Sequence, residues 1–168
     1  KYRPKYDIAL KNKKIFDNIK IEKKNGELKK LNFVSNNKII PEYINVNIFK
    51  ENGIDEVFEF DNIPYADNTI SAINSDHSLE YVGFQKSEKA LNEWFRVLMP
   101  GGELILKIPD LENCCKEYVK SPVTSYARLW YKYTIYGKQE NQNRENDITQ
   151  YYNCGYSKQE IEIVLKRT

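Results

Sequence analysis

The run Asn92-Glu-Trp-Phe-Arg-Val-Leu-Met-Pro-Gly-Gly-Glu-Leu-Ile-Leu-Lys-Ile-Pro-Asp110 carries two secondary-structure signals separated by a sharp break. On its N-terminal side, Leu91, Trp94, Phe95 and Leu98 recur at helical spacing, which gives a helix one apolar face to lay on a sheet. Proline cannot continue that helix, so it must stop at Pro100. Gly101 and Gly102 supply the backbone freedom for a tight reversal. Glu103 to Ile108 then reads as a strand, too apolar to be buried on one face only.

With 168 residues the chain is long enough for one well-buried domain and short for two. Its net charge of +2 hides an asymmetry: the first thirty residues hold eleven Lys or Arg against four Asp or Glu, and the remainder is net acidic. Aromatics and repeated basic motifs are sparse there, so the basic segment reads as a solvated extension rather than a nucleic-acid or membrane patch. No apolar run reaches membrane-spanning length and no charged-then-apolar leader opens the chain, so a soluble, cytoplasmic domain is expected. Cys114 and Cys115 are adjacent and Cys154 is distant, which fits neither a C-x-x-C zinc pattern nor a secreted disulfide framework, and reduced thiols are expected. A start at Lys1 rather than Met suggests a piece of a longer protein.

Residues 1–29 are assigned to the basic extension and 30–168 to an α/β domain. In the extension, Ile8, Ile15, Phe16 and Ile19 suggest a short helix, followed by a turn at Asn25-Gly26. Four core strands are predicted at Lys30 to Val34, Tyr43 to Ile48, Glu56 to Phe60 and Ile70 to Asn74, and Glu103 to Ile108 is the fifth. Strands alternating with short crossovers argue for a parallel sheet with helices on both faces. A helix from Leu111 to Val119 should close at Ser121-Pro122, and the aromatic segment from Val123 to Gly137 follows it. Residues 138–149 are polar and read as a mobile loop. The capping box Ser157-Lys-Gln-Glu160 opens a last helix.

The run from Lys89 to Leu106 resembles the helix and fifth strand of class I S-adenosylmethionine (SAM) dependent methyltransferases, which often read (E/K)-A-L-x-E-x-x-R-V-L-K-P-G-G-x-L-x-L. Ile63-Pro-Tyr-Ala-Asp-Asn-Thr-Ile70 resembles their L-P-F-x-D-N-S-F, and His77-Ser-Leu-Glu-Tyr-Val82 their H-x-L-E-H-V. The matches stand in the family's order, and the nearest branch is the small-acceptor, ubiquinone-methyltransferase-like one. The resemblance implies a Rossmann-like sheet in the order third, second, first, fourth, fifth strand. Members usually continue into a C-terminal antiparallel strand pair. Here that pair is expected to be missing, which leaves the fifth strand as an edge needing self-association or an intramolecular cover.

Methyl transfer from SAM is an in-line displacement that needs orientation and exclusion of water but no metal. The resemblance places the cofactor across the carboxyl ends of the strands. Where the family has a glycine-rich turn after the first strand, this chain has Val34, Ser35 and Asn36; where it has an acidic residue for the ribose, this chain has Asn47. Asp61 aligns with the acidic residue that meets the adenine, with Asn62 and Ile63 framing the ring, although Asp61 could equally cap its own loop. Ser75 and Asp76 follow the fourth strand beside His77, the sole histidine, which is a candidate general base or a structural histidine under the loop. Glu80 is expected to tie the following helix. Trp130, Tyr131, Tyr133 and Tyr136 either cap an acceptor pocket or pack their helix on the core.

Two readings follow. The chain is a SAM-dependent methyltransferase for a small-molecule or glycan-like acceptor, or a domain of that fold that binds no cofactor and serves as a scaffold or partner-binding module. The absence of a G-x-G-x-x-G after any strand disfavours a nicotinamide enzyme. The lost glycines and Asn47 predict weak SAM binding or none.

Overall fold

The computed structural model describes residues 5–11, 28–34, 38–137 and 152–167, the first of these segments by its backbone alone. Strands β1 (Lys5–Lys11), β2 (Lys29–Phe33), β3 (Ile44–Asn47), β4 (Glu56–Val57), β5 (Ile70–Asp76) and β6 (Leu98–Pro109) form one sheet, ordered β1-β6-β5-β2-β3-β4. From β2 to β6 all pairings are parallel, and the five core strands stand in the expected order. This is a Rossmann-like α/β sheet.

The helices are α1 (Leu79–Val82), α2 (Phe84–Val97), α3 (Leu111–Lys120), α4 (Tyr126–Tyr136) and α5 (Lys158–Arg167). Leu79, Leu91, Trp94 and Ile161 from α1, α2 and α5 close one core with Leu31, Phe33, Ile73, Leu104 and Leu106 of the sheet. Leu31 and Phe33, two apart on β2, enter this core. Asn32 lies between them on the other face, yet is equally buried, because it hydrogen-bonds across neighbouring strands.

The break after α2 is more extended than a simple reversal. The helix ends at Val97, before Pro100, and β6 starts at Leu98, carrying extra residues between the pairs Ile70↔Leu98 and Ala72↔Glu103. Gly101 takes φ +79°, and a Cβ on Gly102 would lie 2.8 Å from the Met99 carbonyl oxygen. Both glycines are therefore required by the bulge, one for its dihedral and the other for close approach.

Several boundaries differ from the sequence-based expectation. The third core strand is only Glu56–Val57, and residues 5–11 form a strand where a helix was expected to include Ile8. Tyr6, Ile8 and Leu10 alternate with Lys5, Asp7, Ala9 and Lys11, a period of two that suits a strand. β1 runs antiparallel along the outer edge of β6, with Tyr6, Ile8 and Leu10 opposite Ile108, Leu106 and Leu104. The edge of β6 is thus hydrogen-bonded within the chain. Ile15, Phe16, Ile19, the Asn25-Gly26 turn and residues 138–149 lie outside the described residues.

At the C-terminal side, the Ser121 N–H caps α3 and the capping box forms: Ser157 N–H donates to Glu160 Oε2 at 2.7 Å, and Glu160 N–H to Ser157 Oγ at 3.3 Å. The aromatic helix α4 packs against α3 and buries none of its residues, so its rings do not enter the core. Among the described residues no helix is long and apolar enough to cross a membrane.

Candidate functional site

The strand order reverses between β2 and β5, since the chain runs from β2 outward to β3 and β4 and then returns to β5 and β6 on the other side. In open α/β sheets such a reversal leaves a crevice beyond the carboxyl ends of the strands. Here its walls begin at Val34 and at Asp76 and His77. Ser35 and Asn36 lie outside the described residues.

The connection from β2 to β3 spans residues 34–43, fewer than the dozen or so that a helical crossover takes, and its residues 38–43 contain no helix. Instead it is folded back by an asparagine network. Asn32 Nδ2 donates to Asn45 Oδ1 at 2.8 Å and to the Lys38 carbonyl at 2.9 Å, and Asn74 Nδ2 donates to Asn32 Oδ1 at 2.8 Å. The Ile40 N–H donates to Asn45 Oδ1, and Asn45 N–H to Asp55 Oδ2 at 2.7 Å. Those bonds hold the Asp55 carboxyl below its ordinary range.

This network places Lys38 over the crevice, where Lys38 Nζ donates to Asp76 Oδ2 at 2.6 Å. Lys107 Nζ lies 3.7 Å from the same oxygen. Burial pushes the Asp76 carboxyl up, but the bond and charge of Lys38, with Lys107 and His77 behind them, prevail and hold it below the usual carboxylate range.

His77 adopts φ +64°, a left-handed conformation uncommon for residues other than glycine, and its N–H donates to the Lys107 carbonyl at 2.9 Å. That turn sets Nδ1 2.8 Å from Glu80 Oε1 and Nε2 3.9 Å from Asp76 Oδ1. Next to it, Ser78 Oγ donates to the Phe33 carbonyl at 2.6 Å, tying the start of α1 to the end of β2. Glu80 is 2% exposed, and its backbone carbonyl accepts from Asn153 N–H at 2.7 Å. Its Oε2 has no partner among the described residues, and it lines a cavity of about 10 Å³ with Cys114, Tyr152 and Cys154, room for about one water. Burial pushes the Glu80 carboxyl above its ordinary value despite the His77 bond. It pushes the neighbouring Cys154 thiol up to about 12, so the thiol stays neutral.

The sign of the Glu80 shift gives a stability prediction. A carboxyl whose folded pKa is raised holds its proton more tightly when folded, so its stabilisation is complete below the unfolded value of about 4.3 and is lost as pH rises through the folded value. Glu80→Gln keeps an acceptor for His77 without the charge. Its denaturation midpoint is expected to exceed that of the natural chain at neutral pH and to lose this slope, as measured by urea unfolding across pH.

The loop after β4 forms the other end of the site. Asp61 is 6% exposed and accepts from Lys89 Nζ at 3.3 Å. Asn62 is exposed, and its N–H donates to the Glu59 carbonyl at 3.0 Å. The Ile63 side chain enters the core, while its N–H reaches Glu93 Oε2 at 3.2 Å and its carbonyl accepts from Arg96 Nη2 at 3.0 Å. Arg96 also donates to the Tyr65 carbonyl and to Asp67. Glu93 and Arg96, the acidic and basic residues of the quoted helix, are therefore what hold this loop in place. Sequence reasoning did not assign them that work, nor Lys38, Lys89 and Lys107 theirs, although Glu93 and Arg96 stand three apart on one helix face.

The match between these residues and SAM is uneven. Ser75 Oγ is fully buried beside the crevice with no partner among the described residues, and Asp61 offers a carboxylate at the expected adenine position. The Val34 N–H is already committed to the Val46 carbonyl at 2.8 Å. Val34 lies outside positive φ, so its branched side chain is accommodated without dihedral strain. Asn47 Oδ1 is taken by the Ile48 N–H at 2.7 Å. Of the residues that the resemblance places at SAM, Asp61 and Ser75 have the chemistry expected of them, while Val34 and Asn47 already have partners within the fold.

Sheet order and switch-point crevice are those of a Rossmann-like α/β fold, with which a methyltransferase is consistent. Residues 39–106 match the family model described as "Methyltransferase domain", from the β2–β3 connection through most of β6. The match leaves out β2. No curated protein and no solved structure matches the chain.

Proposed function

We propose that this chain is a SAM-dependent methyltransferase for a small-molecule or glycan-like acceptor, nearest to the ubiquinone-methyltransferase-like branch. The supporting observation is the pair of half-buried His77 and buried Glu80 at the carboxyl end of β5, beside the Ser75 hydroxyl, which has no partner among the described residues. SAM supplies an electrophilic methyl group on a sulfonium, and the residues to hold it are Asp61 at the adenine and Ser75 and Asp76 at the amino-acid end.

With Glu80 ionised, His77 donates Nδ1–H to Oε1, which leaves Nε2 to accept a proton from the acceptor's nucleophile. Glu80 is then a positioning residue that also stabilises the imidazolium. Lys38 and Lys107 keep Asp76 ionised and fixed beside Nε2. When Glu80 is protonated its proton faces Nδ1 and the base is lost, so transfer should increase as pH rises through the Glu80 value. The test is incubation with SAM labelled in its methyl carbon and a panel of sugar-containing and phenolic acceptors. Transfer that His77→Ala abolishes supports the reading, and transfer unaffected by that change refutes the role of His77.

Two observations favour a second reading, a domain of the same fold that binds partners without a cofactor. Lys38 bridges the mouth of the crevice to Asp76, and the Val34 N–H is spent within the sheet.

A further inference from the structure

We infer that the concavity at the start of α4 binds a phosphate ester carrying a flat ring, with Arg128 and Lys132 as its cations. This site is separate from the crevice and does not rest on the methyl-transfer reading. Its volume is about 460 Å³, within the usual range of small-molecule sites. Tyr118, Val123, Tyr126, Arg128, Leu129 and Lys132 line it, and no Asp or Glu does.

The guanidinium is anchored in advance. Arg128 Nη1 donates to the Ser121 carbonyl at 2.9 Å, and its carbon lies 4.3 Å above the centroid of the Tyr118 ring. Neither contact neutralises the charge, and the remaining N–H groups keep the fork that suits a phosphate. Among the described residues no carboxylate pairs with Arg128 or Lys132. Four residues apart on one helix, the two cations repel each other, and a bound dianion removes that cost. A hydrogen bond from Arg128, and after it the charges of Arg128 and Lys132, hold the Tyr118 phenol below its ordinary value.

The ring follows from the rest of the lining. Val123 is 82% and Tyr126 76% exposed, a large apolar and aromatic area left in water. A flat ring laid on Tyr126 covers it, and Thr124 supplies a hydroxyl at the rim.

The experiment is calorimetric titration of the whole chain with uridine 5′-monophosphate, inorganic phosphate and phosphatidylserine vesicles at low salt. Uridine monophosphate is expected to bind, Arg128→Gln and Lys132→Gln each to weaken it at least about tenfold, and Tyr126→Ala to weaken it while leaving inorganic phosphate unchanged. Lys132 is exposed and Arg128 half-buried, and unchanged circular dichroism confirms that the variants fold. Absence of binding, equal binding by Arg128→Gln, phosphate binding as tight as the nucleotide, or binding to vesicles alone overturns the inference. So does loss of nucleotide binding in Asp61→Ala, which would move the ligand to the crevice.

Discussion

Replacing Trp94 with alanine is expected to cost about 3–5 kcal/mol of stability, the range for deleting a large buried aromatic side chain. The ring is fully buried, 4.9 Å from Phe33, and its Nε1–H donates to the Phe60 carbonyl at 2.9 Å. Phe33 in turn packs 4.6 Å from Phe60. The substitution therefore opens a cavity between α2 and the sheet and leaves a buried carbonyl unpaired, two penalties that add to the lost burial. Asp61 follows Phe60 directly, so the same change loosens the loop that carries the proposed adenine position. Urea unfolding would measure the loss, and a cost below about 1 kcal/mol, well under the cavity range, would show that α2 is not the chief cover of this face.

Asn47→Asp is expected to tighten SAM binding by about tenfold to a hundredfold, corresponding to about 1.5–3 kcal/mol for a charge-assisted hydrogen bond. The reason is one of oxygen count. Asn47 has one uncharged side-chain oxygen, which already accepts from the Ile48 N–H at 2.7 Å. An aspartate keeps that bond with one oxygen and presents the other, with its charge, to the ribose hydroxyls. Titrating the variant beside the natural chain measures the gain. An unchanged affinity would place the ribose elsewhere.

The central sheet was legible because its signals are local. The apolar face ending at Trp94 and Leu98, the Pro-Gly-Gly break and the run to Ile108 fix α2 and β6, and strand spacing with family resemblance fixes the order. The edge partner was harder to see. Ile8, Ile15, Phe16 and Ile19 offer a helical face that competes with the alternation of Tyr6, Ile8 and Leu10, and only the waiting edge of β6 decides between them.

Long-range polar partners were hidden for another reason. Lys38 and Lys107 meet at Asp76 from either side of the crevice, and Asn32, Asn45 and Asn74 satisfy one another across three strands. In sequence each looks like a solvated residue on a strand or loop. The burial of the asparagines and the meeting of the lysines depend on register, which a single chain does not display. The aromatic helix erred the other way: its spacing suggested a core face, but α4 lies on α3, outside the sheet's reach.

The central claim is that the crevice between β2 and β5 holds SAM by its adenine and amino-acid ends, with little help from the ribose and turn positions. Calorimetric titration of the whole chain with SAM and its demethylated product tests it most directly. The account predicts saturable binding weaker than about 10 µM, weakened further by Asp61→Ala and strengthened by Asn47→Asp. Absence of binding at millimolar SAM, in both the natural chain and the Asn47→Asp variant, would contradict it.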